Sequence, residues 1–265
     1  MKTDPRYHRP APPRSSDPYD GVLLIDKPAG PTSHDMVDRV RRIFGIRGVG
    51  HGGTLDPLAT GLLVLLLGRA TKLSNLFLGS DKTYEGTIRL GIATDSHDAA
   101  GKVTAERDAS GISADQLATA LGEFQGDLLQ IPPMVSAIKL EGIPLYKRAR
   151  KGEVVERAPR LIHIYRFALT RVALPDADFV LHCSKGTYVR QLCADIGDKL
   201  GCGAHLARLR RTHSGNLALD QAVTPDELAT LGREELAKRL IPVARFAAGY
   251  SHRPDAGSAD GRDTK

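Results

Sequence analysis

Tryptophan is missing from these 265 residues, and aromatic side chains of all kinds amount to only 5% of them. An interior of normal packing density must therefore be assembled from Leu, Ile, Val and Ala. Cysteine is scarce as well: Cys183, Cys193 and Cys202 are an odd number and form no CxxC pair. That excludes a disulfide framework and fits small core residues in a reducing compartment. The longest aliphatic run, Leu62 to Leu67, falls far short of the roughly 20 residues that a membrane span needs. No charged-then-apolar leader opens the chain, so the expectation is a cytoplasmic protein without a membrane partner. Several chemistries lack their signatures too. There is no HExxH or comparable ligand spacing, no GxSxG elbow, no Walker loop and no GxGxxG after a strand. Neither a metal nor a nucleotide or flavin cofactor is indicated, and no cofactor is expected.

What is present is a chain of 41% hydrophobic and 26% charged residues, enough for one large domain or two small ones. Its formal charge of +6 is compatible with a polyanionic partner such as nucleic acid. Residues 1–19 are rich in Pro, Arg and Ser, and residues 249–265 in Gly, Asp and Ser. Neither tail holds enough aliphatic surface to fold, and both are expected to be disordered.

Between the tails the segments alternate in type. GVLLIDKPAG reads as a strand closed by Pro28 and Gly30, followed by a helix with Ser33 as its N-cap. GLLVLLLG is a buried strand, KTYEGTIRLG a strand of interleaved polar and apolar residues, and Ser113 with Gln116 a capping box opening a helix at ADQLATALGEF. Strands follow at MVSAIKLEG, RLIHIYRFALTRV and FVLHCSKG. Next comes an amphipathic helix with Val189, Leu192, Cys193, Ile196 and Leu200 on one face, Thr187, Tyr188 and Arg190 in its first turn, and Gly201 to stop it. AHLARLRRTHSGNLAL reads as extended. Strands outnumber helices and come in runs, so the expected class is α+β, with a large mixed, mostly antiparallel sheet flanked by helices.

One carboxylate stands out in HGGTLDPLATGLL. Pro57 disfavours the helical region for Asp56, so the acid sits on a stiff turn, and Gly52 with Gly53 leaves the main chain open to a bulky ligand. In isolation an Asp-Pro turn is a common structural feature. Three further stretches raise its interest. In CSKGTYVRQL, Lys185 and Arg190 flank a helix start that attracts anions, either a phosphate or a protein carboxylate. In SDKTYEG, Tyr84 stands at a strand entry, where its ring can stack on a base or simply pack. Arginine-rich clusters around Arg41 and Arg42, Lys147 and Arg148, and Arg210 and Arg211 can meet phosphates, or be solvated surface.

LLIDKPAGPTSHDMV, GHGGTLDPLATGLL, GRATKLSNLFLGSDKTYEG, PPMVSAIKLEGIPLYKRARKG and HCSKGTYVRQLCADIGDKLGCGAHLARLRR together resemble the bacterial tRNA pseudouridine(55) synthases, the TruB family. The resemblance runs from Gly21 to Val243. It implies the pseudouridine synthase fold, with a catalytic domain over 20–225, a remnant of the C-terminal region over 226–248, and no separate C-terminal RNA-binding domain. It also implies a cofactor-free isomerisation on the T-arm of tRNA by a monomer. A T-loop uridine is detached at N1, turned, and rejoined to the ribose through C5. The family's essential aspartate falls on Asp56, acting as nucleophile on ribose or base or as a base towards a ribose proton. The tyrosine that contacts the target ring falls on Tyr84, and the arginine that pairs with the acid on Arg190. Tyr188 and Leu209 match uracil-pocket positions, His51 the residue that meets the rearranged T-loop, and Lys27 with Pro28 a supporting motif. Asp95 is carried over as a contact of RNA or site.

Departures from the family pattern are Gly52, where Thr or Ser is usual, Val64, where Pro is frequent, and Ala100, where an acid is frequent. The competing readings are a guide-RNA-dependent relative and a catalytically silent RNA-binding or tRNA-folding protein. Intact Asp56, Tyr84 and Arg190 weigh against silence, since binding alone does not require a carboxylate facing an anionic ligand.

Overall fold

The run TGLLVLLL has no polar face, and in the computed structural model it is a strand whose residues from Gly61 to Leu67 are all buried. The structure describes residues 19–134 and 155–247, with the short pieces 139–140, 143–144, 148 and 153. Their strands are β1 Gly21–Lys27, β2 Val49–His51, β3 Thr60–Leu67, β4 Lys82–Leu90, β5 Ile92–Thr94, β6 Val103–Glu106, β7 Gly126–Gln130, β8 Lys139–Leu140, β9 Ile143–Pro144, β10 Arg160–Ala173, β11 Asp176–Cys183, β12 Ala204–Ser214, β13 Leu217–Ala218 and β14 Ile241–Pro242. The helices are α1 Ser33–Phe44, α2 Ser74–Leu78, α3 Ala114–Glu123, α4 Val189–Lys199, α5 Pro225–Thr230, α6 Arg233–Arg239 and α7 Ala244–Ala247.

Ten strands make one sheet in the order β14-β1-β3-β12-β4-β11-β10-β7, with β2 beside β3 and β13 beside β12; β5 with β6 and β8 with β9 form two small ladders. All neighbours in the large sheet are antiparallel except β12 and β3, which run parallel at Arg210 with Thr60 and Arg211 with Gly61. The expected α+β class with a mixed, mostly antiparallel sheet is therefore what the chain forms.

Side chains of a strand alternate between faces, and that alternation divides the interior into two cores. Leu23, Ile25, Leu63, Leu65 and Leu67 face the larger one, which also contains Val37 and Phe44 of α1, Leu117 and Leu121 of α3, and Leu192 and Ile196 of α4. Val22, Leu24, Leu62, Val64 and Leu66 face the smaller one, closed by Phe77 and Phe246. Burial on both faces explains why β3 shows no polar alternation.

Capping corrects one helix start by a residue. Thr32, not Ser33, is the N-cap of α1: its hydroxyl accepts the Asp35 N–H, and the Asp35 carboxylate accepts the Thr32 N–H. The capping box at Ser113 and Gln116 stands as read. Helix α4 starts at Val189 with Tyr188 as its N-cap, so Thr187 lies outside the first turn. Of the strand read in MVSAIKLEG, only Lys139–Leu140 is described as strand, and much of the rest lies outside the described residues. So do residues 1–18 and 248–265, which hold nearly all of the two expected tails. The helical segments α2, α7, α5 and α6 are not among the elements expected from the sequence. The last two run to only 6 and 7 residues, too short to show a clear apolar period.

Candidate active site

The loop that carries Asp56 joins β2 to β3. Its first bend is tight, and a Cβ on Gly52 would lie 2.4 Å from the Phe77 Cβ, so the Thr or Ser that the resemblance would place there has no room. Gly53 sits at φ 147°, a conformation that L side chains rarely adopt. Beyond these glycines, Leu55 is buried and Pro57 exposed. The Pro57 carbonyl is held from behind, accepting the Gly30 N–H at 2.9 Å and the Lys27 ammonium at 3.3 Å. That ammonium also donates to the Pro28 and Pro31 carbonyls at 2.8 Å each. Lys27 is wholly buried. Burial lowers its pKa to about 8, Arg211 acts in the same direction, and Asp56 opposes them. Pro28 itself is exposed and shapes the turn from outside.

Asp56 meets Arg190 across the fold. The Arg190 Nε donates to the Asp56 Oδ2 at 2.9 Å, with the arginine side chain only 4% exposed and the aspartate 44%. The alternative of a solvated surface arginine is thereby excluded. The start of α4 is pinned by Gln130 of β7, whose side-chain oxygen accepts the Tyr188 N–H at 2.8 Å and whose amide donates to the Tyr188 carbonyl at 3.1 Å. The Arg190 guanidinium lies 5.6 Å from the centre of the Tyr188 ring, within the range of a cation–π contact.

A cavity of about 290 Å³ opens over this pair, and Asp56, Tyr84, Tyr188, Arg190 and Leu209 all line it. Tyr84 is buried, which pushes its phenol pKa up, while Arg211, which bonds it, opposes the shift. Two further cations line it: Arg211, expected only as part of a phosphate-contacting cluster, and Lys82, which the sequence did not single out. Arg211, 2% exposed, donates to the carbonyls of Leu62 at 2.7 Å, Gly53 at 3.2 Å and Thr54 at 3.3 Å. Lys82 donates to the carbonyls of Phe77 at 2.9 Å and Ser80, and burial lowers its pKa to about 8. Strand alternation was the available signal: Lys82 and Tyr84 share a face of β4, and Arg211 stands opposite Tyr84 in register.

Four expected residues do not line the cavity, Pro28 at its exposed turn among them. His51 lies on β2 opposite Leu65, and burial, then Arg211, lower its pKa. Lys27 acts through the Pro57 carbonyl. Asp95 is exposed in the loop between β5 and β6, where its Oδ1 accepts the Lys102 N–H at 2.9 Å. The arginine clusters need correction. Arg211 is interior, Arg210 is paired with Asp26 at 2.7 Å, and Arg41 with Asp38 at 3.0 Å. Arg42 is exposed, while Lys147 lies outside the described residues. Successive residues of a strand face opposite ways, so Arg210 and Arg211 cannot serve one phosphate surface. Among the described residues no group of three or more His, Cys, Asp or Glu is placed to hold a metal ion, and no helix is long and apolar enough to cross a membrane.

Two family models match. Residues 41–189 match the N-terminal domain of the TruB family pseudouridylate synthases, and residues 190–246 match the C-terminal domain of tRNA pseudouridylate synthase B. The boundary between them falls within one architecture, since β12 stands between β3 and β4. A protein of Opitutus terrae named tRNA pseudouridine synthase B is 53% identical over 228 residues, covering 86% of this chain and 95% of its own length. One of the same name from Burkholderia pseudomallei is 52% identical over 226 residues, covering 84% of this chain and 74% of its own. Among solved structures, a chain of a Cbf5-Nop10-Gar1 complex aligns with a TM-score of 0.68 and 28% identity, over 91% of this chain and 66% of that one. A chain of the archaeal box H/ACA sRNP Nop10-Cbf5 complex aligns with a TM-score of 0.63 and 28% identity, over 84% of this chain; this chain spans only 60% of that one.

Proposed function

We propose that this chain, which belongs to the TruB family of pseudouridylate synthases and is a tRNA pseudouridine synthase, isomerises the T-loop uridine at position 55, with Asp56 as the catalytic group and without a cofactor. The observation that carries the reading is the Asp56–Arg190 pair at the floor of the cavity, with the acid half-exposed and its partner buried. A base in a folded loop must be swung out before its glycosidic bond can be reached. Unstacking costs a few kcal/mol, offset by contact with rings and apolar side chains. Tyr84, Tyr188 and Leu209 offer those contacts.

The Arg190 Nε engages one carboxylate oxygen of Asp56, Oδ2, at 2.9 Å. Oδ1 is left for the nucleotide. Attack on ribose or base and abstraction of a ribose proton all begin from an ionised carboxylate at this place, and in each the base must detach at N1, turn in the cavity and rejoin through C5. All of these side chains come from one chain, so a monomer holding the T-arm suffices, and a cytoplasmic location agrees with a tRNA substrate.

The test is incubation of the purified protein with an unmodified tRNA transcript and with one carrying cytidine at position 55, followed by nucleoside analysis. Pseudouridine is expected from the first and not from the second. Asp56→Asn is expected to bind the transcript and form none. Binding without modification by the unaltered protein would instead favour the silent RNA-binding reading.

A further inference from the structure

Ser33 lies in the first turn of α1 and is 2% exposed. Its hydroxyl is not spent on the helix. It accepts the N–H of Leu55 at 2.8 Å and donates to the carbonyl of the same residue at 3.1 Å. One side chain thus satisfies both backbone groups of the residue that precedes Asp56, across 22 positions of sequence. On the other side of the acid, the Pro57 carbonyl is held by Lys27 and Gly30. The Leu55 side chain is itself buried in the larger core. The backbone on both sides of Asp56 is therefore tied to residues 27–33, from the last residue of β1 to the first of α1, while the acid bonds Arg190 from α4.

We propose that Ser33 is a positioning residue for the isomerisation: its two hydrogen bonds to Leu55 set the backbone from which the Asp56 carboxylate reaches Arg190 and the cavity. This rests on the reading of Asp56 as the catalytic group. The physical reason is that residues 53–59 join no ladder with a neighbouring strand, the last such bond running from the Gly52 N–H to the Val64 carbonyl of β3 at 2.8 Å. Without the hydroxyl, the Leu55 N–H and C=O would be buried and unpaired, and the peptide would turn to find other partners. A carboxylate displaced by about 1 Å costs on the order of 100-fold in rate without a comparable loss of binding. A hydroxyl that merely satisfies a buried peptide would not separate rate from affinity.

The experiment compares Ser33→Ala, Ser33→Thr, Ser33→Cys and Asp56→Asn in full-length protein, measuring single-turnover pseudouridine formation, the Kd for tRNA and amide hydrogen exchange at Leu55. Ser33→Ala is expected to bind tRNA within about threefold of the unaltered protein, to react roughly 10- to 100-fold more slowly, and to lose protection at Leu55. Ser33→Thr, which keeps a hydroxyl, is expected to recover most of the rate. If Ser33→Ala does not fold, Ser33→Cys replaces it: its weaker hydrogen bonding should give a lowered rate at unchanged Kd. A rate within twofold of the unaltered protein for whichever variant is read, or a loss confined to Kd, overturns the role of Ser33. Asp56→Asn keeps the two failures apart. If it is inactive while Ser33→Ala is fully active, only this inference fails; if it is itself active, the reading of Asp56 fails first.

Discussion

The pair at the centre of the site is unequal: solvent reaches the aspartate but hardly the arginine. Removing Asp56 leaves a buried guanidinium without its carboxylate, whereas Asp56→Asn still offers Nε an amide oxygen. Arg190→Met removes the charge that holds the acid, and we expect a loss of at least 100-fold in single-turnover rate, while a pure surface charge would cost nothing measurable. Arg190→Lys should not restore the rate, because a point charge on a flexible stem does not reproduce a donor at a fixed Nε position. Lys82 permits a prediction of opposite character. Its folded pKa of about 8 lies below the ordinary 10.5, so between those values the unfolded chain binds the extra proton, and this group makes stability rise with pH. In urea unfolding from pH 8 to 10, the stability of the unaltered protein relative to Lys82→Met should therefore increase. A flat or falling difference would show that burial does not penalise the ammonium.

Elements position these residues through contacts that short stretches of sequence do not display. Helix α1 is capped by Thr32, whose capping box leaves the neighbouring Ser33 hydroxyl to Leu55. Thr32→Ala should cost about 1 kcal/mol of stability, the usual value of an N-cap, with little change in rate. The bend at Gly52 is shaped by the small core beneath it, where Phe77 packs edge-on against Phe246 at 5.0 Å. Gly52→Ser forces Phe77 to move and should cost about 1–3 kcal/mol, as overpacking does. The cost should shrink in the background of Phe77→Ala, which removes the Cγ contact and the ring that anchors the Cβ, since two residues in contact are not additive. Urea unfolding of the four proteins in that cycle gives the answer, and strict additivity would mean that the collision is relieved elsewhere.

For the whole molecule, the +6 charge is distributed differently from what clusters of arginine in the sequence implied. Arg190, Arg211, Lys27 and Lys82 are buried, and Arg210 is committed to Asp26. Phosphate contacts must then come from exposed cations such as Lys185, which adjoins Ser184 and Gly186 in the cavity wall. Lys185→Ala should lower the salt slope of log K for tRNA by about 0.7 to 0.9, one phosphate contact, without changing which uridine reacts. Arg211→Ala should instead lower stability, since it removes the donor to three carbonyls. Binding titrations at several salt concentrations, with nucleoside mapping, distinguish the two. An unchanged slope in Lys185→Ala would place the RNA on another surface.

Local pattern alone determined a good part of this protein. The period of two in KTYEGTIRLG, the period of 3.6 through Val189 and Ile196, the capping box at Ser113 and the stiffness of the Asp56–Pro57 turn are all properties of neighbouring residues. Class and sheet content followed from them, and the family motifs carried the candidate residues. Tertiary structure alone decided which charges are buried. Arg210 and Arg211 look alike in sequence, yet one meets Asp26 at the surface and the other spans the Gly53 loop and Tyr84. It also decided that Ser33 holds Leu55 rather than caps its helix, and that Asp95 closes a turn away from the cavity. The reason is distance along the chain: Asp56 and Arg190 stand 134 positions apart, and a contact of that kind exists only once β12 has been inserted between β3 and β4.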